Sequence, residues 1–124
     1  MLLDSNIIIY AAQSENQFLR SFIAQHSPVV SALSCIEVLG YHQLSNEDKI
    51  YFDDFFTAVQ ILPISQDVIN QAVRLKQIKK MSLGDSIIAG TALVDDLTLI
   101  TRNVDDFSWI TELKLMNPFD TVNL

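Results

Sequence analysis

Short apolar runs and longer stretches of helical periodicity take turns along the 124 residues, and that alternation leaves few folds open. Strands separated by helices pair in parallel and lie buried under helices on both sheet faces. Strand-like runs fall at 2–4, 28–31, 60–64, 97–101 and 113–116. Between them the apolar spacing predicts helices at 6–12, around Phe18, Leu19, Phe22 and Ile23, at 32–44, at 84–94 and at 104–109. A further helix starts at an Asn46 cap and gathers Ile50, Phe52, Phe55, Phe56 and Val59 on one face, suited to the core or to a partner copy; another at 66–80 turns Val68, Ile69, Ala72, Val73 and Leu75 inward. With 49% hydrophobic residues, three Gly and three Pro, the chain has apolar surface for one core and no disordered tract, so 1–124 is read as a single α/β domain. In such a sheet ligands collect beyond the carboxyl ends of the strands, where strand order reverses.

Most acidic residues sit in polar company, as in Glu47-Asp48, Asp53-Asp54 and Asp95-Asp96. Three do not. Asp4 is the sole charge within residues 1–12, Glu37 within 28–41 and Asp85 within 81–94. A carboxylate set in core-like sequence must be protonated, paired with a cation or coordinated to a metal, because burying it bare is costly. Asp4 ends a strand, Glu37 lies a turn and a half into a helix and Asp85 opens another, so all three can face one crevice. A fourth acidic site follows the 97–101 strand in Thr101-Arg102-Asn103-Val104-Asp105-Asp106-Phe107. Few bases adjoin these acids, and the natural neutraliser is Mg²⁺ or Mn²⁺, which prefer oxygen ligands. Each acid also has a plainer reading. Asp4 can cap a helix, Ser82-Leu83-Gly84-Asp85 matches a capping box, Glu37 can lie on an exposed stripe, and Asp105 and Asp106 can serve a helix dipole. Caps explain where the acids sit, but not why every other charge is missing around them.

The balance of 15 acidic against 8 basic residues, net −7, opposes non-specific binding to a polyanion. Yet Arg74, Lys76, Lys79 and Lys80 crowd just ahead of Asp85. They are either a solvated helix end or a phosphate-contacting rim beside an acidic crevice. Two Mg²⁺ carry four positive charges and would bring the formal net charge from −7 to −3. No basic residue precedes Arg20 and no long apolar run opens the chain, so the expectation is a cytoplasmic protein with no signal peptide and no membrane anchor. Cys35, the one cysteine, forms no disulfide framework and has no basic neighbour to activate it. His26 and His42 lack metal-ligand spacing, and no Gly-rich phosphate loop, G-x-S-x-G elbow or zinc pattern occurs.

Four segments follow one another in an order and spacing that resemble the PIN-domain ribonucleases, specifically the VapC-type toxins of bacterial toxin–antitoxin pairs. They are Leu2-Leu3-Asp4-Ser5-Asn6, Ser34-Cys35-Ile36-Glu37-Val38-Leu39, Leu83-Gly84-Asp85-Ser86-Ile87-Ile88-Ala89-Gly90-Thr91-Ala92 and Leu99-Ile100-Thr101-Arg102-Asn103-Val104-Asp105-Asp106-Phe107. The resemblance implies a PIN-like three-layer α/β/α domain whose parallel sheet of four to five strands runs in the order 3-2-1-4-5. Asp4 and the loop after Thr101 would then meet at the reversal point. It also implies that Asp4, Glu37 and Asp85 are the catalytic, metal-binding core of a Mg²⁺ or Mn²⁺ site. Ser5 and Thr101 would supply supporting hydroxyls, and Asn6 would help order the turn. Many members carry Asp directly after the Thr-Arg pair, where this chain has Asn103; the fourth role is therefore assigned to Asp106, with Asn103 as the alternative. Lys79, Lys80 and Arg102 are the candidate RNA contacts. The implied activity is an endoribonuclease that hydrolyses RNA phosphodiesters through one or two divalent ions, with tRNA and other structured RNA among the substrates. The implied partners are an antitoxin, docking a segment that often carries Arg or Lys near the crevice, and a second copy of the chain in a homodimer.

Two other readings stay open. A receiver-like phosphorylation domain shares the length and an acidic pocket, but it needs a phospho-accepting Asp where Leu62-Pro63-Ile64-Ser65 stands and a Lys at a last strand exit, which the Lys114 region is not. A catalytically silent PIN-like scaffold that binds RNA or protein is kept open by Asn103.

Overall fold

The computed structural model describes residues 1–123, with side chains through Asp120. Strands β1 (Leu2–Leu3), β2 (Val29–Ser31), β3 (Gln60–Leu62), β4 (Leu99–Ile100) and β5 (Leu115–Met116) form one sheet in the order β3-β2-β1-β4-β5, every pairing parallel. The helices are α1 (Ser5–Ala11), α2 (Gln17–His26), α3 (Ala32–Leu39), α4 (Asn46–Ala58), α5 (Gln66–Ile78), α6 (Leu83–Val94) and α7 (Val104–Phe107). The expected five-strand order is thus observed, and the side on which successive strands are added reverses between β1 and β4.

Three layers follow from the pleat. Leu2 pairs with Leu99 and Leu3 with Ile100, and all four are fully buried. Successive strand side chains point to opposite faces. Leu2 and Leu99 accordingly enter one core with Leu75, Ile88, Ala89 and Phe107, while Leu3 and Ile100 enter the other with Ile7, Ile8, Val38 and Phe52. A central parallel strand covered on both faces has to be apolar at consecutive positions, which is why β1 reads Leu-Leu without alternation.

Several boundaries depart from the sequence expectation. Helix α3 stops at Leu39, where Gly40 closes it with its N–H donated to the Ile36 carbonyl at 2.8 Å, instead of running to 44. Leu44 still packs against the core, but from the following turn, so its apolar character is not a helical signal. The cap of α4 is Ser45, whose Oγ accepts the Asp48 N–H at 3.1 Å, not Asn46. Ile50 is 64% exposed and leaves the buried face to Phe52 and Phe56. On α5, Val68, Ala72 and Leu75 are buried as expected, whereas Ile69 and Val73, expected inward, are 43% and 50% exposed. The reason is a narrow contact: a Cβ at Gly90 of α6 would stand 3.0 Å from the Val68 carbonyl oxygen and 3.3 Å from Ala72 N. So close an approach uses one stripe of α5, and residues one position further lie about 100° round the helix. Helix α7 is a single turn that ends before Trp109. Among the described residues no helix is long and apolar enough to cross a membrane.

Candidate active site

Parallel pairing at the reversal point sets two residues side by side, since Asp4 and Thr101 directly follow the paired ends of β1 and β4. The Asp4 N–H donates to the Ile100 carbonyl at 2.9 Å, and the Asp4 side chain is buried. Asp4 occupies the N-cap position of α1 in extended geometry (φ −66°, ψ 148°), yet its carboxylate makes no capping bond. It accepts instead from Thr101 Oγ1 at 2.9 Å, and that hydroxyl in turn accepts the Asn103 N–H at 3.0 Å. The capping reading of Asp4 therefore gives way to an interior contact across the sheet. The turn itself is held by the Ile7 N–H on the Asp4 carbonyl at 3.0 Å. Asn6 is exposed and its side chain makes no hydrogen bond among the described residues.

Helix α3 begins at Ser31, whose Oγ accepts the Leu33 N–H at 3.1 Å. With that start, Ser34 and Glu37 fall three residues apart on one face, toward α1. Ser5 Oγ donates to Glu37 Oε1 at 2.7 Å and lies 2.9 Å from Ser34 Oγ. Ser5 has one proton and gives it to the carboxylate, so Ser34 donates to Ser5. Ser34 is fully buried and sequence reasoning assigned it no role; its only signal was a hydroxyl one helical turn before an isolated Glu. The other Glu37 oxygen, Oε2, lies 2.9 Å from where a Cβ on Gly84 would stand, so the glycine lets this carboxylate rest against the first turn of α6.

Ser82 caps α6 by accepting the Asp85 N–H at 3.0 Å, the expected half of a capping box. The Asp85 carboxyl is nonetheless raised above its usual pKa, first by burial and next by the negative Asp106; the Ser82 hydroxyl opposes this and Glu37 adds to it. Asp4 is pushed up to about 6, chiefly by burial, with the Thr101 hydrogen bond opposing and the charges of Asp85 and Glu37 adding. Asp4, Glu37 and Asp85 thus act on one another electrostatically, and Asp106 acts on Asp85. Asp85 and Asp106 also line one cavity of about 250 Å³ with Lys79, Lys80 and Trp109. Asn103 lines a different recess, of about 470 Å³, with Arg102, Asp105, Asp106 and Asp120.

The basic cluster divides by role. Arg74 pairs with Glu112 at 2.9 Å, tying α5 to the turn before β5, and Lys76 Nζ donates to the Met81 carbonyl at 2.9 Å, bracing the connection from α5 to α6. Lys79 and Lys80 are exposed at the mouth of the cavity that holds Asp85. The Arg102 guanidinium lies over the rings of Phe119 and Tyr10, 4.1 and 5.3 Å from their centroids.

Neither ion pair found among the described residues, Arg74–Glu112 or Lys114–Asp96, reaches the four crevice acids. Among those residues no three His, Cys, Asp or Glu side chains are close enough to hold a metal ion as they stand, so the carboxylates act on one another across the reversal point without closing a cage. The chemistry of the donor set fits a hard divalent cation. It is all oxygen, its innermost member is a buried carboxyl lifted to about 6, and no imidazole or thiol adjoins it to favour zinc.

Sheet order, reversal point and an oxygen-lined crevice define an α/β/α domain with an acidic site. The chain belongs to the PIN domain family, whose model matches residues 1–112. Among solved structures, a chain of a toxin–antitoxin complex from Klebsiella pneumoniae is 30% identical, with 94% of this chain and 96% of that one covered and a TM-score of 0.72. A chain of VapBC-1 from nontypeable Haemophilus influenzae is 25% identical over 95% and 97% of the two chains, with a TM-score of 0.77. DNA-bound VapBC from Salmonella typhimurium, at 16% identity, covers 94% and 96% with a TM-score of 0.82, a likeness of fold. No curated protein matches the chain. The resemblance to VapC-type PIN toxins read in the sequence is borne out.

Proposed function

We propose that this chain is a divalent-metal-dependent endoribonuclease and the toxin of a toxin–antitoxin pair. One observation carries the reading: Asp4, Glu37 and Asp85 act on one another across the reversal point and Asp106 acts on Asp85, burial lifts Asp4 to about 6, and neither ion pair found among the described residues offsets the charge. Membership of the PIN family, and likeness to a toxin–antitoxin complex, support the nuclease and toxin parts. Asp4, Glu37 and Asp85 would hold Mg²⁺ or Mn²⁺. Asp106 is favoured over Asn103 as the fourth ligand because its charge acts on Asp85 and the two share a cavity.

When bound, such an ion supplies an activated water and neutralises charge on the phosphate and the leaving oxygen. The chain's own residues set the geometry. Thr101 holds the Asp4 carboxylate, Ser34 and Ser5 aim Glu37, and Ser82 fixes the first turn of α6 beneath Asp85. Lys79 and Lys80 at the rim meet backbone phosphates, and Arg102 is a third contact beside Asp106. The proposal has no side chain bonding covalently to the RNA. The antitoxin segment is placed in a groove of about 440 Å³ lined by Ile9, Val38, Tyr41, Leu44 and Phe52, with Glu37 and Asp48 at its polar edge. An amphipathic segment bearing Arg or Lys suits that combination.

Incubating the purified chain with total cellular RNA in Mg²⁺, Mn²⁺ or EDTA tests the activity. Cleavage that depends on the metal and is lost in Asp85→Asn is the expected result, and full activity in Asp85→Asn would overturn the site. Mn²⁺ binding with no RNA cut would turn the reading to a silent scaffold.

A further inference from the structure

Resting on the nuclease reading, we infer that Trp109 is a nucleobase platform, on which single-stranded RNA stacks one base beside the phosphate to be cut. Trp109 is the only tryptophan of the chain. Its neighbour Ile110 fills the core at 2% exposure, whereas Trp109 is only partly buried against the same cluster and contributes to the wall of the cavity shared by Asp85, Asp106, Lys79 and Lys80. The indole is held in place, because Nε1 donates to the Asp106 carbonyl at 3.1 Å. One ring face is within reach of solvent-borne groups, since the exposed Lys79 carries its Nζ to 5.6 Å from the ring centroid.

Charge decides which part of a nucleotide this cavity takes. Lys79 and Lys80 line the cavity together with Asp85, Asp105 and Asp106, so a phosphate goes to the ammonium groups, whereas the electron-rich indole face repels an anion and offers a neutral base a fixed aromatic surface. Lys79 reaches the indole from an extended residue at the end of α5, and its cation–π contact at an exposed site is weak. A base that takes its place on the ring leaves the ammonium free for the adjoining phosphate. Asp85 lines the same cavity, so the stacked base belongs to a nucleotide next to the cut. Duplex bases are already stacked on one another and their faces are closed to an indole, which restricts the platform to unpaired RNA.

With a single tryptophan, the intrinsic fluorescence of the wild-type chain reports this site alone. Titration with an unstructured RNA hexanucleotide in EDTA should quench the emission saturably, and a blunt RNA duplex of the same length should leave it unchanged. Polarisation of the labelled hexanucleotide supplies an independent binding curve. Trp109→Phe, which keeps a ring, should bind within about threefold of wild type, and Trp109→Leu, which keeps apolar bulk without a π face, should bind roughly tenfold or more weakly. Hexanucleotide bound with unchanged emission, or Trp109→Leu binding as wild type does, overturns the platform; if total RNA is still cut in Mn²⁺, the nuclease reading survives that loss. RNA neither bound nor cut would overturn both.

Discussion

On one wall of the crevice every acidic oxygen donor is held by a hydroxyl: Thr101 donates to Asp4, and Ser34 donates to Ser5, which donates to Glu37. Those groups follow the ends of β1 and β4 or lie on α1 and the first two turns of α3, elements anchored in the sheet. The opposite wall is made by the start of α6 and the single turn of α7. There Asp106, Lys79 and Lys80 are exposed, Asp85 is half-buried, and the one fixed group is an aromatic ring. The difference separates two tasks. On the proposed reading, buried hydroxyls would hold Asp4 and the exposed Glu37 where an ion needs them, and an open wall of mixed charge would accommodate a substrate that arrives in many conformations.

The largest expected effect spans both walls. Glu37→Gln and Asp85→Asn should each lower RNA cleavage more than a hundredfold, read as initial rates on one substrate in Mn²⁺, because each removes a negative ligand. Asp106→Asn should cost about tenfold, because that carboxylate, unlike the equally exposed Glu37, has no hydroxyl holding it among the described residues. Equal losses at Asp106 and Glu37 would erase the contrast between the walls.

Next in size is a stability effect confined to the wired wall. Asp4 titrates at about 6 in the folded chain against 3.8 in its ordinary state, so its contribution to folding is fully present below about pH 4 and is lost as pH rises through 6. From this group alone the loss is about 3 kcal/mol at neutral pH. Asn keeps an oxygen for the Thr101 hydroxyl and carries no charge. Asp4→Asn should therefore melt several degrees above wild type at pH 7 without metal, and the gap should close at pH 4. A lower melting temperature at pH 7 would show that the carboxylate is paired in the fold.

Removing the wiring is expected to act through the metal. Ser34→Ala touches no ligand directly, yet it should weaken Mn²⁺ binding roughly ten- to a hundredfold by freeing the Ser5 and Glu37 orientations. Its cost in stability should be about 1 kcal/mol, read by urea unfolding. Gly84→Ala should do less. The new methyl would press on Glu37 Oε2, the movable end of a side chain, and a fewfold loss of Mn²⁺ affinity with unchanged stability is expected.

Much of the wired wall was legible in the sequence because its acids stand alone in apolar windows, and Leu2-Leu3-Asp4 announced a doubly covered strand ending in a charge. Ser34 was not, since a serine in a helix carries no sign of the hydroxyl 29 residues away that it meets. The open wall was harder to read for the same reason. Arg74 and Lys76 looked equivalent to Lys79 and Lys80 until partners at Glu112 and Met81 removed them from the rim. Asn103 and Asp106 are three positions apart, and only the turn of α7 shows that Asp106 alone shares the cavity with Asp85. Ile69 and Val73 fit an inward helical face by spacing, but how much of a face a neighbour covers is decided by the closeness of Gly90 to α5.

Mn²⁺ titration of the purified chain by isothermal calorimetry at pH 7, repeated with Asp4→Asn, tests most directly whether the crevice holds a divalent ion. Wild type should bind saturably at pH 7, more weakly as pH falls through about 6, where binding should also release a proton, and Asp4→Asn should lose the binding. Wild-type affinity retained by Asp4→Asn, or no binding by either chain, would contradict the divalent-metal reading.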